Sequence, residues 1–235
     1  MDKVHFNKEE QTFAKKLEVK QDRPFLTKFL DLNEQRITKI IHPKASFFGG
    51  YDNAEMKRAW INHLGNYDII CLHIKTNDTF SSFGHRDILG ALLNLNIQRE
   101  EIGDILLPES IVFVTEEIHE TIMRSLAKIK HSPIEVSVVK DAKIDNSPRY
   151  RTMKVLLKSF RLDNVISTVY NVSRNKSKQI IGKKTVRINH RLEINPDKSV
   201  NYGDIISVKG RGRFILLSKI GDSKAGNEFV SIGIY

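Results

Sequence analysis

The spacing of apolar and polar positions changes character along the chain. Residues 9–20 and 26–41 are modestly charged and are predicted to form helices, and Pro24, which suits a helix start, separates the two segments. Two glycines beside aromatic residues at positions 47–51 indicate a tight turn over a small core, with a stacking platform for a base as the alternative. We therefore predict a mostly helical N-terminal domain over residues 1–65.

Residues 66–158 show a different pattern, in which short extended segments alternate with helical ones. The predicted order is strand 67–74, helix 85–95, strands 104–107 and 110–114, helix 116–128 and strand 134–139. This β-α-β-β-α-β order is the ferredoxin-like arrangement, which the RNA recognition motif (RRM) shares. The third strand, IVFV, lacks the basic-glycine-aromatic signature that stacks bases in that motif. We predict a ferredoxin-like, RRM-like domain over 66–158, ending in a polar linker and a strand over 151–159.

The last segment predicts two short helices followed by short strands. Apolar positions 162, 165, 166 and 169 lie on one helical face. A second helix is predicted from Ser173, a favourable N-cap, to Gly182, a favourable stop. Strands at 185–189, 205–208 and 214–217 follow, with turns at 189–190, 195–197 and 202–204. The fold class predicted for the whole chain is α+β.

Positive charge is concentrated in this last segment. Residues 161–235 contain 14 Lys and Arg and 6 Asp and Glu, so they carry +8 of the net +10 of the chain. Arg174 and Lys178 share one helical face, where like charges cost a helix about 0.2–0.5 kcal/mol, and an anion outside the helix would explain the pair. The confined charge indicates a surface that binds a polyanion, and a solvated basic face without a partner is the alternative.

Composition limits the other classes of function. With 40% hydrophobic and 28% charged residues the chain is typical of a soluble globular protein. Its one cysteine, Cys71, excludes an internal disulfide and indicates a reducing compartment. The N-terminus lacks the apolar core of a signal peptide, and the apolar runs are too short to span a bilayer. We predict a cytoplasmic protein without membrane insertion. The histidines show no metal-ligand spacing and no helix follows Gly210-Arg211-Gly212, so no metal or cofactor is expected.

The motifs of the basic segment resemble a known RNA-binding domain. Residues 161–217 contain, in order, Arg-Leu-Asp, Ser-Arg with Lys178 following, Val-Arg-Ile-Asn, Gly-Asp-Ile-Ile-Ser-Val and Gly-Arg-Gly-Arg-Phe. This order resembles the S-four domain, named for the fourth protein of the small ribosomal subunit. The resemblance implies two small helices on a short twisted sheet over 159–235, with RNA against the second helix and the adjoining hairpin. Carried over to matching positions, it implies RNA contacts by Arg174, Lys178, Lys183, Lys184, Arg187, Asn189, Arg191, Arg211 and Arg213.

A wider resemblance covers nearly the whole chain. Phe29-Leu30-Asp31, Phe48-Gly49-Gly50-Tyr51, His85-Arg86-Asp87 and Gly103-Asp104-Ile105-Leu106 look like motifs of the YlmH family, bacterial RNA-binding proteins with a C-terminal S-four domain. The resemblance implies a non-enzymatic protein that binds structured RNA, ribosomal RNA or tRNA, on the large ribosomal subunit. A role in ribosome-associated quality control is the implied function.

Two triplets resemble catalytic motifs. His85-Arg86-Asp87 is similar to part of the kinase catalytic loop, but the residue five after Asp87 is Leu92 rather than a metal-binding Asn. Arg161-Leu162-Asp163 is similar to the catalytic triplet of pseudouridine synthases, although here it begins the predicted RNA-binding helix. Two alternatives stay open beside a non-enzymatic protein. One is an RNA-modifying enzyme with unseen catalytic residues, and the other is a cell-division-linked protein with secondary RNA binding and protein partners through residues 1–158.

Overall fold

The computed structural model describes residues 6–18, 23–76, 82–140, 144 and 150–235. The chain divides into two compact units, Met1–Ser147 and Pro148–Tyr235. Both combine helices with antiparallel sheets, which confirms the α+β class. In the described part of the chain, no helix is long and apolar enough to cross a membrane.

The first unit begins with two helices and a small sheet. Its elements are α1 (Lys8–Glu18), β1 (Phe25–Leu26), α2 (Leu32–Ile41), β2 (Ser46–Phe48) and β3 (Arg58–Ile61), and the strands pair in the order β1-β3-β2. The prediction of a helix over 26–41 is wrong at its start. Asp31 and Glu34 form a capping box in which each side chain accepts from the other's backbone N–H at 2.9 Å, so the helix starts at Leu32. The sheet was not predicted, and the region is therefore less helical than expected.

The middle of the first unit has the predicted order of elements. They are β4 (Ile69–Lys75), α3 (His85–Leu93), a 3₁₀ turn (Arg99–Glu101), β5 (Ile102–Leu106), β6 (Ile111–Thr115), α4 (Glu116–Ser125), β7 (Lys128–Ile129), β8 (Ser132–Pro133) and β9 (Glu135–Val138). The main sheet is antiparallel in the order β5-β6-β4-β9, and β7 and β8 form a separate hairpin. This confirms the ferredoxin-like arrangement.

Both faces of this sheet are covered. One face packs on α3 and α4 through a core that includes Ile88, Leu92 and Ile122. Phe113 of β6, which belongs to the opposite face, is only 2% exposed because it packs with Phe29 and Met56. An RRM binds RNA on this second face. In this protein Phe29 and Met56, which precede β4 in the chain, cover that face, so bases cannot stack on Phe113 of β6.

Positions 47–51 belong to this cover. The Tyr51 ring stacks on Phe113 with centroids 5.2 Å apart. Gly50 has a φ of +99°, and a Cβ there would lie 2.4 Å from the Phe113 ring. The glycine is needed for both its backbone conformation and the close approach, which supports the interpretation as a turn over a core.

The second unit is a six-stranded antiparallel sheet with two helices on one face. Its elements are β10 (Arg151–Leu157), α5 (Leu162–Val169), α6 (Arg174–Gly182), β11 (Val186–Ile188), β12 (Arg191–Leu192), β13 (Ile205–Val208), β14 (Gly212–Asp222) and β15 (Glu228–Ile234), and the sheet order is β10-β15-β14-β13-β11-β12. Leu162, Ile166 and Ile181 of the helices pack on Phe214 and Ile232 of the sheet. These contacts form the core of the unit.

The predicted boundary between the middle and C-terminal domains lies next to strand β10. Strand β10 lies on the middle-domain side of the predicted 158/159 boundary, yet it pairs along its whole length with β15 of the second unit. The predicted linker falls mostly on residues outside the described ranges. The division into three domains stays a prediction.

Candidate nucleic-acid interface

Helix α6 buries only three of its residues, and its exposed positions carry the basic side chains. Ser173 caps the helix by accepting from the Lys176 backbone N–H at 3.2 Å. Ser177, Ile180 and Ile181 are buried, and Ser177 Oγ donates to the Asp163 carbonyl of α5 at 2.8 Å. The remaining positions of α6 are exposed, including three cations, Arg174, Lys176 and Lys178. Predicted contacts Arg174 and Lys178 thus lie on one exposed side of the helix.

A buried carboxylate holds one of these cations in place. Asp163 is fully buried at the start of α5, and its oxygens lie 3.2 Å from Arg161 Nε and 3.2 Å from Arg174 Nε. Arg161 is also paired with Asp197. Burial alone would raise the pKa of Asp163, but the hydrogen bonds from Arg161 and Arg174 outweigh burial and lower the pKa. Asp163 is therefore an ionised structural group that orients the Arg174 side chain, which stays 55% exposed.

The chain leaves α6 through two lysines. Lys183 follows the helix with its N–H donating to Gln179, and Lys184 has a φ of +59°. The Thr185 hydroxyl donates to the Ile180 carbonyl at 2.8 Å and so completes the end of the helix. The left-handed residue is thus Lys184, whereas Gly182, the predicted stop, is still helical. A lysine at a position that favours glycine places an exposed ammonium group at the end of α6.

Replacing Lys184 with glycine is expected to stabilise the protein by about 0.5–1 kcal/mol, because glycine adopts this backbone conformation without the steric cost of a side chain. RNA affinity is expected to fall in the same variant, since one cation is removed. Thermal unfolding followed by circular dichroism, with a filter-binding assay, measures both. Lys183→Gly is the matched control: Lys183 has a φ of −74°, so the same loss of charge should come with lower stability. Equal stability changes in the two variants would contradict this account.

The hairpin after α6 contains three of the predicted RNA contacts. Two of them are exposed arginines, and the third, Asn189, makes hydrogen bonds within the protein. Strands β11 and β12 are joined by Asn189 and His190, both with positive φ, as in a type I′ turn. The Asn189 amide donates to Asp204 Oδ1 at 2.8 Å, and its oxygen accepts from the Ile205 N–H at 2.9 Å. Asn189 therefore ties the turn to β13, and RNA contact by its side chain stays a prediction. Arg187 and Arg191 are exposed on either side of the turn, with Arg187 Nη1 donating to the His190 carbonyl.

The two arginines of the Gly-Arg-Gly-Arg motif lie against different aromatic rings. The Arg211 guanidinium lies 5.9 Å from the ring of Tyr170, which ends α5. The Arg213 guanidinium lies 4.1 Å from the ring of Tyr235. Arg213 alternates along β14 with Phe214, which packs in the core under the helices, so Arg213 is on the opposite face. The predicted contact set is thus divided between the helix side and the far side of the sheet.

The catalytic look-alike His85-Arg86-Asp87 has a structural role. Asp87 accepts from the Gly84 N–H at 2.9 Å at the start of α3 and pairs with Lys130 at 2.6 Å. The hydrogen bond from Lys130, followed by that from Gly84, lowers the pKa of Asp87. Asp87 therefore helps to open helix α3 and ties it to the β7–β8 hairpin.

Cys71 and two clefts of the first unit are further candidates for a catalytic or metal centre. Burial raises the pKa of the Cys71 thiol to about 11, which suits a structural cysteine. Two clefts, of about 410 and 760 Å³, have no aspartate among their described lining residues. Within the described residues, no cluster of His, Cys, Asp and Glu could hold a metal ion.

Comparison with known proteins connects this architecture to a family. Residues 63–143 match the family model described as "Putative RNA-binding domain in YlmH". The chain is 30% identical over 243 aligned positions to the "Ribosome-associated protein quality control protein P2" of Bacillus subtilis (strain 168), with 94% of this chain and 93% of that protein covered. The chain belongs to the YlmH family.

A solved YlmH structure supports the fold. The "Cell division protein ylmH from Streptococcus pneumoniae" superposes on 62% of this chain and 100% of its own, with a TM-score of 0.51 and 24% identity. The YlmH family model also draws attention to a region where no RNA contact was predicted from the sequence. In residues 63–143 the cations are dispersed and no basic run marks a surface, so charge patterning gave no signal there.

Proposed function

We propose that this YlmH-family chain is a non-enzymatic RNA-binding protein that recognises structured RNA, ribosomal RNA or tRNA, on the large ribosomal subunit. Its role would be in ribosome-associated quality control in the cytoplasm. The observation that carries the proposal is the exposed cationic side of α6, with Arg174 oriented by a buried carboxylate. The name of the Bacillus subtilis relative, which associates that protein with ribosomes, supports the ribosomal partner.

In this proposal, phosphates supply most of the affinity. Arg174 and Lys178 of α6 bind backbone phosphates, and Lys183 and Lys184 extend the contact beyond the helix. Each cation that neutralises a phosphate releases a counterion, so affinity falls steeply with salt. Arg191 and Arg211 reach the adjoining backbone from the hairpin and the β13–β14 loop, whereas the predicted contacts Arg187 and Arg213 lie on the other face of the sheet. Structured RNA suits this arrangement because fixed cations match a fixed arrangement of phosphates.

Residues 63–143 match the family model described as a putative RNA-binding domain, and in this region the RRM-type sheet face is covered by other residues of the unit. RNA contact by the first unit therefore requires a surface other than that face. We assign the first unit a supporting role, in which it positions the second unit or contacts proteins of the same assembly.

Replacing Lys178 with glutamate is expected to weaken binding of structured RNA about ten-fold or more, because the reversed charge removes a phosphate contact and repels its neighbours. Lys178 is exposed, so stability should be unchanged. Arg174→Glu is a poorer test, because it would place a second carboxylate against the buried Asp163. Affinity for purified large ribosomal subunits, measured at two salt concentrations, should fall with a smaller salt slope in the variant.

The matched control for Lys178→Glu is Lys224→Glu, which makes the same charge change at an exposed position between β14 and β15. Equal losses in the two variants would mean that net charge, not the α6 surface, determines binding. Sucrose-gradient sedimentation of cell lysate tests the partner. Wild type should migrate with the large subunit and Lys178→Glu should not. Migration at the top with nuclease-resistant protein partners would contradict the ribosomal role.

A further inference from the structure

The face of the six-stranded sheet opposite α5 and α6, here the outer face, has a consistent composition. Residues directly opposite on neighbouring strands share a face of the sheet. Along β10, β13, β14 and β15, residues of the core alternate with residues of the outer face. The register places these residues on the outer face: Thr152, Lys154, Leu156, Arg187, Ser207, Arg213, Ile215, Phe229, Ser231, Gly233 and Tyr235. None of these residues is acidic, and three are cations.

One end of the outer face is built of tyrosines. Tyr150 and Tyr235 meet edge to face with ring centroids 5.6 Å apart. Gly233 lies under Tyr150, and a Cβ at that position would be 2.5 Å from the Tyr150 ring. The missing side chain lets the ring lie close to the backbone of the sheet. Tyr235 itself is 40% exposed.

Cations lie over the rings at both ends of the face. The Arg213 guanidinium is 4.1 Å from the Tyr235 ring, and the Lys154 ammonium is 4.1 Å from the Phe229 ring. Arg187 pairs with Ser207, which pairs with Arg213, so two arginines occupy one row about 10 Å apart, two strand spacings. Rings and cations therefore lie side by side on this face, and none of the described outer-face residues named above is acidic.

We propose that the outer face binds unpaired RNA nucleotides. Bases stack on Tyr235 and the adjoining rings, while Arg213, Arg187 and Lys154 bind the phosphates between them. Aromatic rings bind any base through its π-face, and a positively charged groove follows the backbone of a single strand. This inference rests on the proposed function for its partner class, but it uses a surface on the other side of the sheet from α6. Structured RNA on α6 and an unpaired segment on the outer face then belong to one RNA target.

The cations over the aromatic rings favour RNA over a protein as the molecule bound on the outer face. The centre of a protein interface is enriched in aromatic residues and Arg but depleted of Lys, so the Lys154 ammonium over the Phe229 ring argues against a protein partner. Here charged groups lie directly over the rings, in positions where a phosphate chain between stacked bases would meet them. The outer face therefore favours a polyanion with flat apolar groups, which describes single-stranded RNA.

Binding of a short single-stranded oligoadenylate to the full-length protein tests this proposal. Tyr235→Ala is expected to weaken binding about five-fold or more, since it removes a stacking ring. Tyr235→Phe keeps the ring and should bind like wild type. Ile220→Ala, a change at another exposed apolar residue of β14, should have no effect. Ultraviolet cross-linking of an oligonucleotide containing a photoreactive uridine should label peptides with Tyr150, Tyr235 or Phe229.

The outcomes separate this proposal from the proposed function. No binding of oligoadenylate by the wild type, or equal binding by Tyr235→Ala and wild type, overturns the outer-face site. Recovery of a protein instead of RNA on this face also overturns it. In each of those cases Lys178→Glu can still weaken binding to large ribosomal subunits, which would leave the α6 surface intact. Loss of oligoadenylate binding in Lys178→Glu but not in Tyr235→Ala would place single strands on α6 and contradict the outer face.

Discussion

Replacing Asp104 with alanine is expected to destabilise the first unit by about 3–5 kcal/mol, because three partly buried donors lose their acceptor together. Asp104 accepts from the Tyr51 hydroxyl at 2.8 Å and from the backbone N–H groups of Glu55 and Met56 at 2.7 and 3.1 Å. These bonds fix the loop that covers Phe113 of the ferredoxin-like sheet. Without the carboxylate, the loop loses its attachment and part of the sheet face becomes accessible to water.

The fluorescence of Trp60, the one tryptophan of the chain, reports this change because the residue lies in β3 of the first unit. Urea unfolding of Asp104→Ala should show a midpoint well below that of wild type. Asp52→Ala, at an exposed carboxylate of the same loop, is the control and should leave the midpoint nearly unchanged. Equal midpoints in the two variants would mean that the loop is held by packing alone.

The pH dependence of stability distinguishes the contribution of the Asp104 charge from that of its hydrogen bonds. Burial raises the pKa of this carboxyl, and the hydrogen bonds from Glu55, Tyr51 and Met56 offset burial only in part. A carboxyl whose folded pKa is raised contributes most stability below its unfolded pKa and loses that contribution as the pH rises through the folded pKa. Wild type should therefore lose stability relative to Asp104→Asn as the pH rises from about 4, the unfolded aspartate pKa.

The sequence predicted elements well where the pattern is long and regular. The β-α-β-β-α-β order and helix α5 follow from periodicity, because their core positions recur at the helix or strand spacing, and α6 follows from its N-cap Ser173. The strands β1, β2 and β3 contain two to four residues, too few for a period to show. The start of α2 had a readable signal, since Asp31 stands three residues before Glu34 in the spacing of a capping box.

The second unit shows the same limit in its strands. Strand β14 continues to Asp222, and β15 pairs with β14 on one side and with β10 on the other, whereas the prediction stopped at residue 217. Strand β15 pairs with β10, which is distant in sequence, and two register shifts interrupt the pairing of β14 with β15, so local propensity carries little information about either strand. The outer face depends on that pairing, since Tyr235 and Arg213 meet only when β14 and β15 lie side by side. A basic segment could be read from the sequence, but its division into two faces could not.

Charge positions were predictable and charge partners were not. The cations of α6 follow from the helical spacing of residues 174 and 178. The bond from Arg174 to Asp163 arises from the packing of α5 against α6, which no local pattern encodes. The same packing explains why Arg161-Leu162-Asp163 resembles a catalytic triplet without its chemistry: the carboxylate is buried and turned toward two arginines.

Replacing Asp163 with alanine is expected to lower the stability of the second unit by about 2–4 kcal/mol, because a buried charge is lost that two guanidinium groups share. Arg161 and Arg174 would then face each other across the space that the carboxylate occupied. Both arginines are partly exposed, at 38% and 55%, so water relieves some of the repulsion and keeps the cost below that of a fully buried charge. Hydrogen exchange of the α5 and α6 amides measures this effect in the second unit alone. Asp222→Asn, at an exposed carboxylate paired with Lys219, should leave exchange there nearly unchanged.

The pH dependence at Asp163 has the opposite sign from that at Asp104. The two arginines lower the pKa of Asp163 below its unfolded value, so its stabilising contribution is present above the unfolded pKa and is lost as the pH falls through the folded pKa. Wild type should therefore approach Asp163→Asn in stability under acidic conditions, and the gap should be full at neutral pH. Binding of large ribosomal subunits by Asp163→Asn, measured where the variant is folded, should fall less than in Lys178→Glu, since every cation of α6 is retained. A gap that does not depend on pH would mean that the Asp163 side chain contributes through its shape and not through its charge.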